Sequence, residues 1–173
     1  MAVRRSQERR GYQRLTSIFR IGDLRSFLAG EWRLDRDIDD DRLGQNGVLH
    51  GLARFSQSGD GLAYREVGRL TFGDYADDVS RDYRYDFPEK AVARISFADG
   101  RPFHELDLRR GKAAVRHLCG DDIYNGVITA DSPDRWTATW TVNGPRKAIR
   151  IASVFRREGS FDAAGGVDFD ERQ

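Results

Sequence analysis

Polar and apolar residues alternate with period two along most of this chain, and helical patterning is confined to the start. Asp23 is placed to cap a short helix, and Leu24, Phe27 and Leu28 then fall at i, i+3 and i+4 on one face. Gly30 is suited to end that helix in a left-handed conformation, and Trp32 follows at once in an alternating run. Ten such runs predict ten strands: Glu31–Ile38, Val48–Ser56, Leu62–Phe72, Arg81–Phe87, Ala91–Phe97, Arg101–Arg109, Ala113–Cys119, Ile123–Ala130, Trp136–Val142 and Lys147–Arg156. An acidic loop is expected over 39–47 and another over 73–78. Ser58-Gly59-Asp60-Gly61, Asp99-Gly100, Gly120-Asp121 and Asn143-Gly144-Pro145 are turn signals.

Sequential strands with tight turns make an antiparallel meander. A meander that closes is an up-and-down β-barrel, which removes exposed sheet edges. The expectation is an all-β barrel of about ten strands with a short N-terminal capping helix, Trp32 plugging one end. An open two-sheet sandwich is the competing arrangement. Barrels of eight to ten strands have room for a small ligand.

Composition narrows the class. With 173 residues, 39% hydrophobic and 33% charged, the chain suits one domain with one core. Residues 1–20 carry six arginines and one glutamate, so the remaining residues are mildly acidic although the whole chain has a net charge of +1. This favours a basic N-terminal extension (1–20), a barrel domain (21–157) and a Gly-, Asp- and Ala-rich tail (158–173). An acidic body argues against a nucleic-acid partner. Cys119 is the single cysteine, so no intrachain disulfide forms, and no apolar run approaches a membrane span. The basic start lacks a signal-peptide core. A cytoplasmic location is expected, and the few lysines beside many arginines point to a GC-rich bacterial genome. Oligomeric state is open between monomer and homodimer.

The Gly-x-Trp at 30–32, the capping helix and a late arginine resemble the lipocalin-like, or calycin, superfamily, which includes the fatty-acid-binding proteins. In those barrels an arginine on the last strand lies over the tryptophan. The resemblance implies a structural pair of Trp32 with Arg156, and Arg157 is the reserve candidate. LAGEWRLDR, FADGRPFHELDL, HLCGDDIYNG, W-x-x-x-W-x-V-x-GPRK and the closing S-x-F-R-R are similar to an uncharacterised lipocalin-like family of bacteria and fungi. The positions that match its pattern are His104, His117, Cys119, Asp121, Tyr124, Trp140, Gly144, Pro145 and Lys147.

Alternation also sends polar groups inward. His104 is in phase with Leu106 and Leu108, and His117 and Cys119 with Val115. Glu66 is in phase with Tyr64 and Leu70, and Tyr83 and Tyr85 with Phe87. Adding Tyr124 and Trp140 gives an expected ligand-binding wall of Tyr64, Glu66, Tyr83, Tyr85, His104, His117, Cys119, Tyr124 and Trp140 around a small, largely hydrophobic molecule. Core histidines and a small buried Cys119 are the plainer readings of the same positions. Glu66 needs a histidine or arginine partner. An acid–base enzyme of isomerase, cyclase or hydratase type is the alternative, with His104 or His117 moving a proton and Glu66 or Tyr124 orienting it. A non-catalytic interaction domain is a third reading. No cofactor is expected: there is no CxxC, HExxH or dense carboxylate set for zinc, and no histidine follows His117 to serve as the proximal ligand that haem-binding relatives use.

Overall fold

The computed structural model describes residues 18–157. Most of the expected basic extension and all of the expected 158–173 tail lie outside the described residues. The short helix is α1 (Leu24–Leu28). Asp23 caps it, its carboxylate accepting from the Ser26 amide at 2.9 Å, and Leu24, Phe27 and Leu28 are buried. Ten strands follow: β1 (Gly30–Asp40), β2 (Gln45–Ser58), β3 (Gly61–Phe72), β4 (Tyr75–Glu89), β5 (Val92–Phe97), β6 (Pro102–Asp107), β7 (Lys112–Cys119), β8 (Asp122–Ser132), β9 (Arg135–Gly144) and β10 (Lys147–Arg156).

They form one antiparallel sheet in the order β6-β5-β4-β3-β2-β1-β10-β9-β8-β7, so β1 pairs with β10 and the sheet curls into a barrel. Its two end strands, β6 and β7, share no backbone ladder, and the barrel is nearly closed. The expected β6–β7 hairpin is therefore a seam. At its lower end the seam is filled by chain entering the barrel. Phe19 donates its amide to the Ala130 carbonyl at 2.8 Å, and Ile21 to that of Leu108 at 3.3 Å. Gly111 sits where a Cβ would lie 2.3 Å from the Phe19 carbonyl oxygen, and its φ is +75°, so only glycine fits.

Two expected loops are shorter than their composition suggests. The 39–47 stretch contracts to a turn at 41–44, and the Asp-rich 73–78 stretch is mostly strand, with Phe72 opposite Tyr75. The 73–78 hairpin extends past the core, where both faces meet solvent, while in the 39–47 stretch Asp40 is buried and folds the turn by accepting from the Arg42 and Leu43 amides at 3.0 Å. Polar residues on both faces erase the alternation without weakening backbone pairing. On the opposite wall, β5, β6 and β7 are short, so the mouth is higher on the β2–β4 side.

Candidate functional site

The closed end is built first. Leu24, Phe27, Leu28 and Trp32 fill the bottom of the barrel, with Trp136 stacked on Phe155 beside them. The Trp32 indole donates to the Leu28 carbonyl at 2.8 Å. The cation over its ring belongs to Arg157, whose guanidinium carbon lies 4.2 Å from the ring centre. Arg157 also donates to the carbonyls of Ala29, at 3.1 Å, and Phe27, at 2.6 Å, the open end of α1. This corrects the expected Trp32–Arg156 pair. Ser153 and Phe155 point inward on β10, so the next inward position is 157. Arg156 points outward and pairs with Asp35 at 3.1 Å.

Above this plug lies a cavity of about 380 Å³. Its floor is apolar, formed by Leu28, Trp136, Phe155, Ile128, Leu106 and Leu108. Its middle holds a buried ion pair. Arg36 donates through Nη1 and Nη2 to the two carboxylate oxygens of Glu66, at 2.7 and 2.8 Å, and through Nε to the Ser153 hydroxyl at 2.9 Å. The Tyr64 hydroxyl donates to Glu66 at 2.5 Å. Arg36 and Glu66 are 8% and 4% exposed. Burial alone would raise the Glu66 pKa, but the Arg36 hydrogen bonds and charge, aided by Arg81 and Tyr64, hold it below the ordinary carboxylate value. Burial likewise opposes the charge on Arg36, and Glu66 outweighs it. The pair stays ionised and satisfies itself.

The predicted wall residues all line this cavity. Tyr64, Tyr83 and Tyr85 stand on β3 and β4, and burial pushes each phenol's pKa up, with the Glu66 carboxylate adding to it. His104 and His117 flank the seam. The His117 Nδ1 bonds the Phe103 carbonyl at 2.9 Å, a side-chain link across β6 and β7 where no ladder exists. The His104 Nδ1 bonds the Glu105 carbonyl at 3.2 Å. Carbonyls only accept, so each ring carries a proton on the Nδ1 that meets one. Burial lowers the His104 pKa to about 4; the Glu105 carbonyl opposes this shift and His117 adds to it, and the ring is neutral at pH 7.

Trp140 braces the seam from inside. Its ring lies over Gly126, where a Cβ would come within 2.8 Å of it, and stacks on Phe103 with centroids 5.3 Å apart. Tyr83 stacks on Phe103 as well, also at 5.3 Å. Cys119 is exposed at the rim, not a buried core thiol, because it ends β7 at the mouth. Tyr124 is tied to the rim as well. Lys147 donates to its hydroxyl at 3.3 Å and pairs with Asp122 at 2.6 Å. Neither Glu66 nor Tyr124 is bonded to a histidine, so the orienting role expected of them in an acid–base relay is not made in this arrangement.

Four residues of the site went unread in the sequence. Arg36, Arg81 and Ser153 carried a signal, since each is in phase with inward neighbours, Leu34, Tyr83 and Phe155. Phe103 did not. A bulge between β5 and β6 places His104 opposite Ile95 and Pro102 opposite Ser96, and the extra residue brings Phe103 into the cavity beside His104. Among the described residues no group of three or more His, Cys, Asp or Glu side chains is placed to hold a metal ion, and no helix is long and apolar enough to cross a membrane.

A family described as of unknown function, DUF6314, matches residues 28–157. Comparison with curated proteins finds no match. Among solved structures, the S-type phycobiliprotein lyase CPES from Guillardia theta superposes with a TM-score of 0.59 at 10% identity, covering 80% of this chain and 92% of that one. A DUF3598-family protein of unknown function from Nostoc punctiforme superposes with a TM-score of 0.54 at 12% identity, covering 82% of this chain and 50% of that one. At these identities the likeness is one of fold.

Proposed function

The chain belongs to the DUF6314 family of unknown function, and from that premise we propose that it is a lipocalin-like barrel that holds a small, largely hydrophobic molecule in its cavity. The observation that carries this reading is the cavity itself. A small barrel's interior is either filled by side chains or left with room for one small ligand. Here about 380 Å³ stays open above an apolar floor, walled by aromatics and a few fixed polar groups. The internally satisfied Arg36–Glu66 pair adds polarity without demanding a charge from the ligand. The neutral His104 imidazole suits a ligand hydroxyl or N–H. The phycobiliprotein lyase shares the barrel, and its fold supports the architecture; the ligand class rests on the cavity.

Native mass spectrometry of protein purified from its own host tests the reading. A bound small molecule, released on unfolding, is expected. A bare chain that also takes up no apolar probe would refute it.

A second reading has one observation in its favour. His104 lines the cavity as a neutral imidazole, the form in which a histidine can accept a proton. Substitution separates the two. In a binding protein H104A and H117A weaken affinity. In an acid–base enzyme one of them abolishes turnover and leaves affinity nearly intact.

A further inference from the structure

The charges around the cavity do not cancel. Arg36 and Glu66 neutralise each other, and Lys147 is matched by Asp122 at the rim. Arg81 is left over. The β3–β4 register sets it opposite Glu66, and it lies inward in phase with Tyr83 and Tyr85. Its Nε lies 3.8 Å from Glu66 Oε1, an ion pair without a hydrogen bond, while that carboxylate accepts two bonds from Arg36 and one from Tyr64. Among the described residues that line the cavity, Glu66 is the only carboxylate. The described lining, with Arg36 and Arg81 against Glu66, therefore carries one surplus positive charge.

Its position in the fold matters as much. β5 pairs with β4 only from Tyr83 downward, where Phe97 lies opposite Tyr83. Arg81 is thus the first inward position above the low wall, half-exposed at the lip of the mouth. Below it the lining turns aromatic and then aliphatic. A cation at the lip of an apolar cup attracts a charge more strongly than it would in open water.

We infer that the ligand is an amphipathic organic monoanion, its anionic head group paired with Arg81 at the lip and its apolar part directed down toward Trp136 and Phe155. This rests on the cavity-binding reading above and adds the charge and orientation of the ligand. A carboxylate, sulfonate or phosphodiester satisfies the same contact.

Two dyes that share one ring skeleton test it: 8-anilinonaphthalene-1-sulfonate, an anion, and N-phenyl-1-naphthylamine, which is neutral. Each is titrated into wild-type, R81Q, R81K and, as a control for net charge, R94Q protein at low ionic strength. Loss of one charge-assisted contact predicts that R81Q weakens the anionic dye about tenfold and the neutral dye less than about twofold. R81K is expected to keep much of the anionic dye's affinity, and R94Q to leave both dyes unchanged. Retained binding of the neutral dye also reports that R81Q is folded. If the neutral dye binds and R81Q leaves the anionic dye unaffected, the anion assignment is overturned and the cavity reading stands. If neither dye binds wild-type protein, both fall.

Discussion

Arg157 lies over Trp32, 4.2 Å from the ring centre, while its neighbour Arg156 points to the opposite face of the sheet. The contact ties three things together: the last strand, the plug and the carbonyl end of α1. It closes the barrel at the bottom and leaves the ligand mouth at the top. Replacing Arg157 by alanine removes a cation–π contact and two hydrogen bonds to the helix end, and a loss of roughly 2 kcal/mol is expected. Arg156→Ala removes a partly exposed ion pair and is expected to cost under about 1 kcal/mol. Urea unfolding midpoints of the two variants check the contrast. Equal midpoints would contradict the assignment.

The Arg36–Glu66 pair makes a sharper stability prediction. Arg36→Met leaves a buried carboxylate without its cation and is expected to cost about 3–5 kcal/mol. Glu66→Met strands the guanidinium at a similar cost. The double variant removes both charges together, and a stability well above that of either single variant is expected. A double-mutant cycle in urea measures the coupling, and additive losses would mean the pair does not act as a unit.

Gly126 gives Trp140 the space to lie across β8 and reach Phe103. A valine there would press on the Trp140 and Val115 side chains and is expected to cost about 1–3 kcal/mol. The displaced ring would also unbrace the seam. Faster amide exchange in β6 and β7, with little change in β1–β3, is the expected readout in hydrogen-exchange mass spectrometry.

Acid should weaken the fold through His104. Its pKa is near 4 when folded and near 6.5 when exposed, so between those values the unfolded chain binds more protons. Stability is therefore full above pH 6.5 and falls as pH drops toward 4, by up to roughly 3 kcal/mol. Glu66 titrates below the ordinary carboxylate range when folded, so its contribution is lost only at lower pH. His104→Asn is expected to flatten the 6.5-to-4 slope in urea-unfolding experiments across pH. An unchanged slope would place the acid sensitivity elsewhere.

Much of this architecture is written in period two. Tyr83, Tyr85, His104, His117 and Trp140 are inward because their neighbours two residues away are apolar, and a barrel leaves those faces nowhere else to go. What could not be read is where regularity breaks. Phe103 joins the site through a bulge, which shifts phase by one residue without a turn signal. Arg36 keeps the phase, but its partner stands two strands away in the sheet, and pattern along one strand does not reveal partners across the barrel. The β6–β7 seam was hidden because a short loop between alternating runs looks the same whether or not the strands ladder. Cys119 shows a limit of phase itself: it has the inward register, but β7 ends there and the rim is open.

The account depends on the cavity receiving a molecule, and equilibrium titration with N-phenyl-1-naphthylamine tests that most directly. Wild-type protein is predicted to bind one dye per chain with saturation. Ala138→Phe, which fills the middle of the cavity and whose fold is verified by circular dichroism, is predicted to weaken binding about tenfold or more. Absence of saturable binding to the wild type, or equal binding to a folded Ala138→Phe variant, would contradict it.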